Sequence, residues 1–557
     1  MYSDINHSDI AGSPSLPAVS TSLAQEPSAV GAGRSVAVVD KEIEKTVLLH
    51  DLPEELTLKI FRFLELRDIV SLQQVSTHLN RFIKNEHVLE RTWYGRFSLS
   101  HQYQLQKSLP VEDKEHLRNW LRPFTRDQAL VESLITHREA VYFPALFHFA
   151  KARLMSQYET YNVDIEAVIA HDDKVNSATF SADGRHLVTA SDDATAIIYG
   201  QRTDGTWEKK GVISHDDVVK SALFSVDGRQ LVTASKDNTA KICVQGDDGS
   251  WEEKLTIVHD ARVHFAAFSA DASHLVTASV NNTARIYGQE VDGSWVKKIT
   301  IFHHQRINSV TFSANSRRVV TASNDGTVKI YGQKTDGSWE EETVISHDHK
   351  VNSAAFSADG RHLVTASEDN TAKIYGLKDD GSWGEEAVIS HRSYISSAAL
   401  SPNGSHVVTT SYDYTAKINS KKDDGSWEEK RTISHDDYVS SATFSPDSRH
   451  LVTASDDGMA KIYGLKTDGS WVEKTIISHL GVVTSAIFSA DGQLLMTASW
   501  DRTAKIYGQY INGLWVEKAV VAHRSLAKST ALSGNGHHLV LPSLHNILMI
   551  YKLSMKH

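Results

Sequence analysis

Histidine, serine and aspartate recur together along most of this chain, in a combination that could perform hydrolysis. One such set is His347, Ser367 and Asp369. In a hydrolase these residue types act as general base, nucleophile and orienting acid. The histidine returns every 44 residues without a slip, at His171, His215, His259, His303, His347, His391, His435, His479 and His523.

The number of copies favours a structural role for these residues over catalysis. A constant period of this length predicts an array of supersecondary units, which must stack because no single unit can bury its apolar faces. The period also survives substitution, since Asn281 and His545 replace the aspartate in two copies. We therefore predict a buried and fully satisfied hydrogen-bond network in each copy, with a role in folding.

The bulk composition narrows the class of protein. The chain has 557 residues and a formal net charge of -11, which argues against nucleic acid and anionic membranes as partners. No apolar run is long enough to span a membrane, and no secretory signal is evident. Cys243 is the only cysteine, which excludes an internal disulfide and fits a reducing compartment.

Each repeat reads as four short strands. After His347 come three apolar, β-rich runs separated by turn residues, and a fourth run follows the Asp-Gly-Ser-Trp turn. Asp-Gly favours tight hairpins, because glycine accepts a positive φ. Four antiparallel strands form one blade of a β-propeller, so the fold class is mainly β.

The pattern resembles the WD repeat over about residues 163–553. Shared features are the leading histidine, Ser-Ala-Asp-Gly or Ser-Pro-Asp in the first hairpin, and Ser-x-Asp-x-Thr before the third strand. Tyr-Gly, as at Tyr375, stands where that family has Trp-Asp, and Cys243 replaces the tyrosine once. The resemblance implies that His347, Ser367 and Asp369 form a hydrogen-bond chain with Tyr375. It also implies that the tryptophan eight residues before a repeat histidine, from Trp207 through Trp515, is a blade-packing residue in the outer-strand region.

Counting strands gives nine blades. The final inner set, His523 to Leu553, lacks its own outer strand, and residues 163–170 have no inner set. We predict one closed ring of nine in which residues 163–170 pair with the strand that ends near Tyr551. The alternative is eight blades plus a degenerate copy, because nine exceeds the usual range of about four to eight.

Three segments precede the ring. Residues 1–45 are rich in Ser, Ala, Pro and Gly and are predicted to be a disordered tail. Residues 46–98 show helical periodicity, with Asp68 as an N-cap and a short third helix around Trp93. Residues 99–160 are predicted to be a packed helical linker, which includes a capping box from Thr125 to Gln128.

Residues 46–98 resemble the F-box, the helical module that docks on the Skp adaptor of cullin–RING ubiquitin ligases. The resemblance rests on a Leu-Pro-Glu-Glu-Leu run and the apolar positions after it. Ser76 and Leu79 depart mildly from the family pattern, and an ordinary three-helix cap is the alternative. The resemblance implies adaptor contacts from Leu52, Pro53, Leu56, Ile60, Leu64, Ile69, Leu72 and Val75.

In WD propellers, three positions per blade commonly face the top of the channel. Carried onto this sequence, they form a basic sector with Lys174, Lys220, Lys236, Arg262, Arg306 and Lys350. An aromatic sector follows with Tyr394, Tyr412, Tyr438 and Trp500, and Asp192, Glu368 and Asp456 stand among them. This contrast predicts a reader of an acidic or phosphorylated peptide with an apolar anchor. The alternative is a set of solvated loop residues.

Together the two resemblances imply a substrate-recognition subunit of a Skp–cullin–F-box ubiquitin ligase. Such a receptor binds the adaptor, and through it the cullin, and holds a protein substrate close to the conjugating enzyme. It needs no catalytic residue, cofactor or metal. It would act in the cytoplasm or nucleus, or in the host cytosol if the chain is a bacterial effector. A WD-repeat scaffold without a ubiquitin role is the main alternative, and a propeller hydrolase or lectin is a weaker one.

Overall fold

The computed structural model describes the ring and parts of the helical segments. The described residues are 77–85, 87–95, 128–138, 143–147, 160–510, 513–523, 530–534, 536–542 and 546–555, with the single positions 69, 97, 102, 106 and 150. Three helices are bounded within them: α1 (Thr77–Asn85), α2 (Val88–Tyr94) and α3 (Gln128–Thr136). The predicted third short helix at Val88 and Trp93 and the predicted helix after residue 128 are confirmed. Asp68 and Thr125 lie outside the described residues.

The described strands form nine antiparallel sheets of four strands each. The first strands of the nine blades are β2 (Val175–Phe180), β6 (Val219–Phe224), β10 (Val263–Phe268), β14 (Ile307–Phe312), β18 (Val351–Phe356), β22 (Ile395–Leu400), β26 (Val439–Phe444), β30 (Val483–Phe488) and β34 (Ala531–Leu532). The second strands are β3 (His186–Ser191), β7 (Gln230–Ser235), β11 (His274–Ser279), β15 (Arg318–Ser323), β19 (His362–Ser367), β23 (His406–Ser411), β27 (His450–Ser455), β31 (Leu494–Ser499) and β35 (His538–Val540).

The third strands are β4 (Thr195–Gln201), β8 (Thr239–Gln245), β12 (Thr283–Gln289), β16 (Thr327–Gln333), β20 (Thr371–Leu377), β24 (Thr415–Lys421), β28 (Met459–Leu465), β32 (Thr503–Gln509) and β36 (Ile547–Met555). The outer strands are β5 (Trp207–Ser214), β9 (Trp251–Val258), β13 (Trp295–Phe302), β17 (Trp339–Ser346), β21 (Trp383–Ser390), β25 (Trp427–Ser434), β29 (Trp471–Ser478), β33 (Trp515–Ala522) and β1 (Tyr161–Ala170). Blades are numbered here from β2–β5 as the first to β30–β33 as the eighth.

The ninth blade joins the two ends of the repeat array. Its strand order is β1, β36, β35, β34, and β1 pairs antiparallel with β36 so that Ile165 lies opposite Tyr551. The predicted closure is therefore confirmed, and the ring has nine blades. Pairing of the first strand of the array with the last leaves no blade short of a strand, which limits exposed sheet edges.

Within the described part of the ring, the hydrophobic core is divided into nine clusters, each between two neighbouring blades. Between the first and second blades, for example, Val188 and Ile198 pack against Val219 and Leu231. Between the eighth and ninth blades, Met496 and Ile506 of the eighth pack against Leu539 of the ninth. Since every blade is buried on both faces, second strands such as His274–Ser279 are buried throughout.

The outer-strand tryptophans are blade-packing residues, as predicted, and they pack across the blade boundaries. Trp339 of the fourth blade packs on Phe312 of its own blade and on His274 of the third, with ring centroids 6.3 and 5.4 Å apart. Trp251 of the second blade makes the equivalent contacts, with Phe224 of its own blade and His186 of the first. An aromatic ring that is shared between two blades stabilises their relative position.

The described helices pack on their surroundings. In the linker, Phe143 and Phe147 are buried against Val131, Leu134 and Ile135 of α3, which confirms the prediction that this apolar stretch packs on a neighbour. Residues 143–147 are helical, with Pro144 inside the helical run. Separately, Trp93 and Phe97 pack with Ala490, which lies in the hairpin between β30 and β31 of the eighth blade.

Candidate binding face

The first eight blades present equivalent loops at the two ends of the ring. We call the end at which each first strand begins the upper face, and the opposite end, at which it turns into the second strand, the lower face. Because the strands are antiparallel, the loop after each second strand also lies on the upper face. The repeat histidines, the Ser-x-Asp motifs and all predicted substrate-binding residues therefore lie at this end of the ring.

The repeat histidine is the centre of a buried network. In the fifth blade, His347 Nδ1 donates to Asp369 Oδ2 over 2.7 Å, and His347 Nε2 accepts from Thr365 Oγ1 over 2.8 Å. Thr371 Oγ1 donates to the other carboxylate oxygen of Asp369 over 2.6 Å. The Ser367 hydroxyl bonds instead to the backbone carbonyls of His349 and Lys350. Serine and histidine are thus not paired as nucleophile and base, and the predicted structural network is present.

One expected member of that network was wrong. The resemblance implied Tyr375, but the hydroxyl of Tyr375 points to the outer strand and donates to Glu385 over 3.1 Å. Thr365, on the second strand, takes the position next to the histidine. The signal was present in the sequence, because a threonine stands 18 residues after the histidine in the first eight copies.

Burial and hydrogen bonding set the charges of this network. Partial burial of the Asp369 carboxyl opposes its ionisation, but the hydrogen bonds from Thr371 and His347 prevail and lower its pKa to about 2. Burial lowers the pKa of His347 below its usual value, although Asp369 opposes this shift. A neutral imidazole that donates from Nδ1 and accepts at Nε2 satisfies both partners.

A second set of upper-face residues ties neighbouring blades together. A β-bulge follows the first residue of each first strand from β2 to β30, as between Val351 and Ser353. The residue in the bulge reaches the next blade: Asn352 Nδ2 donates to the carbonyl oxygen of Ile395 over 2.9 Å, and Asn308 Nδ2 to that of Val351 over 2.9 Å. These two bulge residues therefore hold neighbouring blades together.

The basic sector is partly neutralised within the chain. Lys220 stands in a bulge and pairs with Asp192 of the first blade at 3.4 Å, and Lys350 pairs with Glu368 at 3.5 Å. In contrast, Arg262 and Arg306 are exposed at equivalent positions of the third and fourth blades. Neither arginine forms an ion pair with a described residue, and Lys174 and Lys236 are half-buried on the first and second blades.

The aromatic sector, which we call the aromatic arc, is exposed on the upper face of the sixth to eighth blades. Tyr394, Tyr412, Tyr438 and Trp500 are each 40–50% exposed. The Tyr412 and Tyr438 rings meet edge to face with centroids 4.7 Å apart, and the Tyr394 ring stacks near His349 at 6.1 Å. Large apolar side chains that remain exposed together on a rigid face are typical of a binding surface.

The structure adds Tyr414 to this arc. Its ring lies 5.4 Å from that of Tyr438, and its backbone has a φ of 69°. Five of the first eight blades place Asn or Gly at this position, as at Asn238, Asn370 and Gly326, and these residues tolerate the left-handed region. Ala194 and Arg502 depart from this pattern as Tyr414 does, but Tyr414 is the aromatic departure and could have been noticed in the sequence for that reason.

The predicted adaptor-binding residues lie mostly outside the described residues. This applies to Leu52, Pro53, Leu56, Ile60, Leu64, Leu72 and Val75. Ile69 is described; it is helical and its side chain is fully buried in the chain. In the helical and ring segments that the structure covers, no helix is long and apolar enough to cross a bilayer.

Comparison with known families agrees with both modules. Residues 49–92 match the F-box-like family. The WD domain, G-beta repeat family matches eight segments: 164–199, 207–243, 251–288, 295–332, 339–376, 385–419, 427–464 and 471–508. The segment 164–199 includes most of β1, the outer strand of the ninth blade, whereas the inner strands of that blade, β34 to β36, lie outside the matched segments. No curated protein matches the chain with significant sequence similarity. The WD matches span more than half of the residues, and the chain therefore belongs to the WD-repeat family and is an F-box/WD-repeat protein.

Proposed function

We propose that this protein is the substrate-recognition subunit of a Skp–cullin–F-box ubiquitin ligase. In this proposal the F-box-like segment binds a Skp-type adaptor, and through it a cullin, while the upper face of the ring holds a protein substrate. The observation that carries the proposal is the F-box-like match at residues 49–92 ahead of a nine-bladed WD ring in the same chain. Such a protein would act in the cytoplasm or the nucleus.

The position of Trp93 and Phe97 supports the assignment of adaptor binding and substrate binding to separate parts of the protein. Trp93 and Phe97 pack with Ala490, in a hairpin on the lower face of the eighth blade. The exposed aromatic arc and the unpaired Arg262 and Arg306 lie on the opposite, upper face. Because Trp93 and Phe97 pack at the lower face, the upper face stays open to a substrate, as a receptor that presents its substrate to a separately recruited enzyme requires.

The two arcs of the upper face suit a peptide or protein surface of mixed character. Arg262 and Arg306 are free to bind an acidic or phosphorylated group, since arginine forms bidentate hydrogen bonds with both. The aromatic arc supplies apolar anchoring sites. Lys220 and Lys350 contribute less net charge in this proposal, because Asp192 and Glu368 already pair with them.

Calorimetry with a purified Skp-type adaptor and the full chain tests the proposal. We expect binding by the unaltered protein and its loss in the double variant Leu52→Ala, Pro53→Ala, with the circular dichroism of the ring unchanged. Tyr438→Ala, on the upper face, is the matched control and should bind the adaptor normally. If the unaltered chain does not bind the adaptor, the ligase proposal is wrong, and a WD-repeat scaffold without a ubiquitin role becomes the better description.

A further inference from the structure

The acidic residues at equivalent upper-face positions are in different electrostatic surroundings. Asp192, Glu368 and Asp456 each immediately precede the aspartate of the Ser-x-Asp motif, on the first, fifth and seventh blades. Asp192 accepts from Asn176 over 2.7 Å and pairs with Lys220. Glu368 pairs with His349 at 3.1 Å and with Lys350. Two of the three carboxylates thus have a cation from this chain.

Asp456 has no such partner among the described residues. The positions that hold His349 and Lys350 beside Glu368 are occupied by Asp437 and Tyr438 beside Asp456. The position in the next blade that gives Lys220 to Asp192 holds Thr484, whose hydroxyl donates to the carbonyl oxygen of Ala498. Partial burial and the negative charges of Asp437 and Asp457 raise the pKa of Asp456, in contrast to the lowered pKa of Asp192.

The uncompensated carboxylate adjoins the tyrosine cluster. The backbone N–H of Asp456 donates to the carbonyl oxygen of Tyr438 over 2.9 Å, which fixes the two residues side by side. The Tyr438 ring in turn contacts the rings of Tyr412 and Tyr414, at centroid distances of 4.7 and 5.4 Å. Aromatic faces attract cations, and the attraction grows when a carboxylate lies close by.

Tyr414 adds an independent observation. Its left-handed backbone is strained for a bulky side chain, as is that of Arg502 at the equivalent position of the eighth blade, and such strain is typically retained at functional positions. The side chain gains no burial that would offset this strain, because it is 43% exposed. A ring held in place at an energetic cost and left open to solvent suits a ligand contact better than a structural contact.

We infer that the three tyrosines and Asp456 form a receptor for a cationic side chain, a lysine, methylated lysine or arginine of a protein partner. The cation would lie over the tyrosine rings and pair with the Asp456 carboxylate, as Lys220 pairs with Asp192 inside the chain. This inference deepens the proposed function by naming one chemical feature of the substrate, and it rests on the assumption that the partner binds the upper face.

Short Gly/Ser peptides that carry one central residue test the inference on the full-length protein. The central residue is lysine, trimethyllysine, arginine, norleucine or glutamate, and binding is measured by biolayer interferometry at low salt. We expect the cationic peptides to bind at least about threefold tighter than the norleucine peptide. A cation–aromatic contact at an exposed site lowers the Kd by about this factor. The relative affinities of the lysine, trimethyllysine and arginine peptides show which cationic side chain the receptor prefers.

Two matched variants localise the effect. Asp456→Asn should remove most of the preference for cations, whereas Asp192→Asn, at the equivalent position of the first blade, should leave it unchanged. Equal binding of norleucine and lysine peptides by the unaltered protein, or an unchanged preference in Asp456→Asn, would overturn the inference. Adaptor binding is measured on the same samples, so that a failure of the proposed ligase role is seen separately from a failure of cation recognition.

Discussion

In the third blade, Nδ1 of His259 does not hydrogen-bond to Asn281, although these residues occupy the positions of His347 and Asp369. The latter pair is joined over 2.7 Å, whereas Nδ1 of His259 is buried without a hydrogen-bond partner. Burial, together with the nearby Arg285 charge, lowers the pKa of His259 to about 4. A single amide in place of a carboxylate therefore leaves one of the described networks incomplete.

We predict that Asn281→Asp stabilises the protein. A carboxylate at this position can accept from His259 Nδ1, and a satisfied buried donor adds about 1 kcal/mol to the free energy of unfolding. The measurement is the urea midpoint followed by circular dichroism. The reciprocal change Asp369→Asn is the control and should lower the midpoint. A lower midpoint for Asn281→Asp would show that the third blade has repacked around its amide.

The stability of the ring should fall as the pH is lowered from about 6.5. Burial depresses the pKa of His347 below 6.5, and six other repeat histidines behave likewise. A histidine whose pKa is lower in the folded state than in the unfolded state binds a proton more readily in the unfolded chain. The free energy of unfolding therefore falls as the pH drops below the pKa of the unfolded state. The aspartates, with pKa values of about 2 at Asp237, Asp325, Asp369 and Asp501, extend the loss below their ordinary value of 3.8.

Urea midpoints at intervals between pH 8 and pH 3 measure this dependence. The expected profile is flat above pH 7, declines through pH 6 to 5, and becomes steeper below pH 4. A midpoint that rises on acidification to pH 5 would contradict the neutral state assigned to the buried histidines. Protonation of the buried histidines and protonation of the network aspartates both lower the free energy of unfolding on acidification. The total decline should therefore be larger than a single histidine would give.

Two glycines offer a matched test of turn geometry. Gly326 and Gly337 have φ values of +80° and +83°, so alanine is strained at either position. At Gly326 a Cβ would also lie 2.7 Å from the carbonyl oxygen of His347, whereas at Gly337 it would meet nothing within 4 Å. We expect Gly337→Ala to cost about 1 kcal/mol and Gly326→Ala clearly more, as measured by urea unfolding. Equal costs would mean that conformation alone determines both effects.

Tyr414→Asn should stabilise the ring while weakening ligand binding. Asparagine tolerates the left-handed backbone, as Asn370 does at the same position of the fifth blade, so about 1 kcal/mol of strain should be relieved. The change also removes one ring of the proposed cation receptor. Thermal unfolding and the peptide assay measure the two effects. The reverse change, Asn370→Tyr, should destabilise; if Tyr414→Asn is also destabilising, the ring packs more firmly than its exposure indicates.

The repeat period made most of the fold predictable, and side-chain pairing set the limit. Blade number, strand order and closure followed from the counting of strands, because every copy must stack on the next. The hydrogen-bond partner of His347 could not be predicted in this way, because Thr365 and Tyr375 are both compatible with the repeat pattern. Only the structure shows that the tyrosine side chain points to the outer strand, which leaves Thr365 as the partner. Pairs such as Lys220 with Asp192 depend on a β-bulge that turns a side chain toward the neighbouring blade, which a single sequence does not reveal.

The ring is held closed within the ninth blade, where the N-terminal strand meets the C-terminal strand without a covalent link. Glu166 of β1 ties this blade together: its carboxylate accepts from Lys552 of β36 over 3.1 Å and lies 2.8 Å from Nε2 of His538 on β35. It also accepts from Trp207 of the first blade over 3.0 Å. Partial burial opposes ionisation of Glu166, but its bonds with His538 and Lys552 lower its pKa to about 2.

Glu166→Ala should therefore accelerate unfolding more than the same change at an equivalent, covalently continuous position. Glu386 of the fifth blade is the matched control, since its carboxylate accepts from Trp427 of the next blade over 2.8 Å and lies 3.7 Å from His362. Loss of Glu166 weakens the contact that keeps β1 in place, and release of β1 opens the whole ring. Loss of Glu386 weakens a blade whose strands remain joined by hairpins. Stopped-flow unfolding in urea compares the two rates, and equal acceleration by both variants would show that the ring does not open first at its closure.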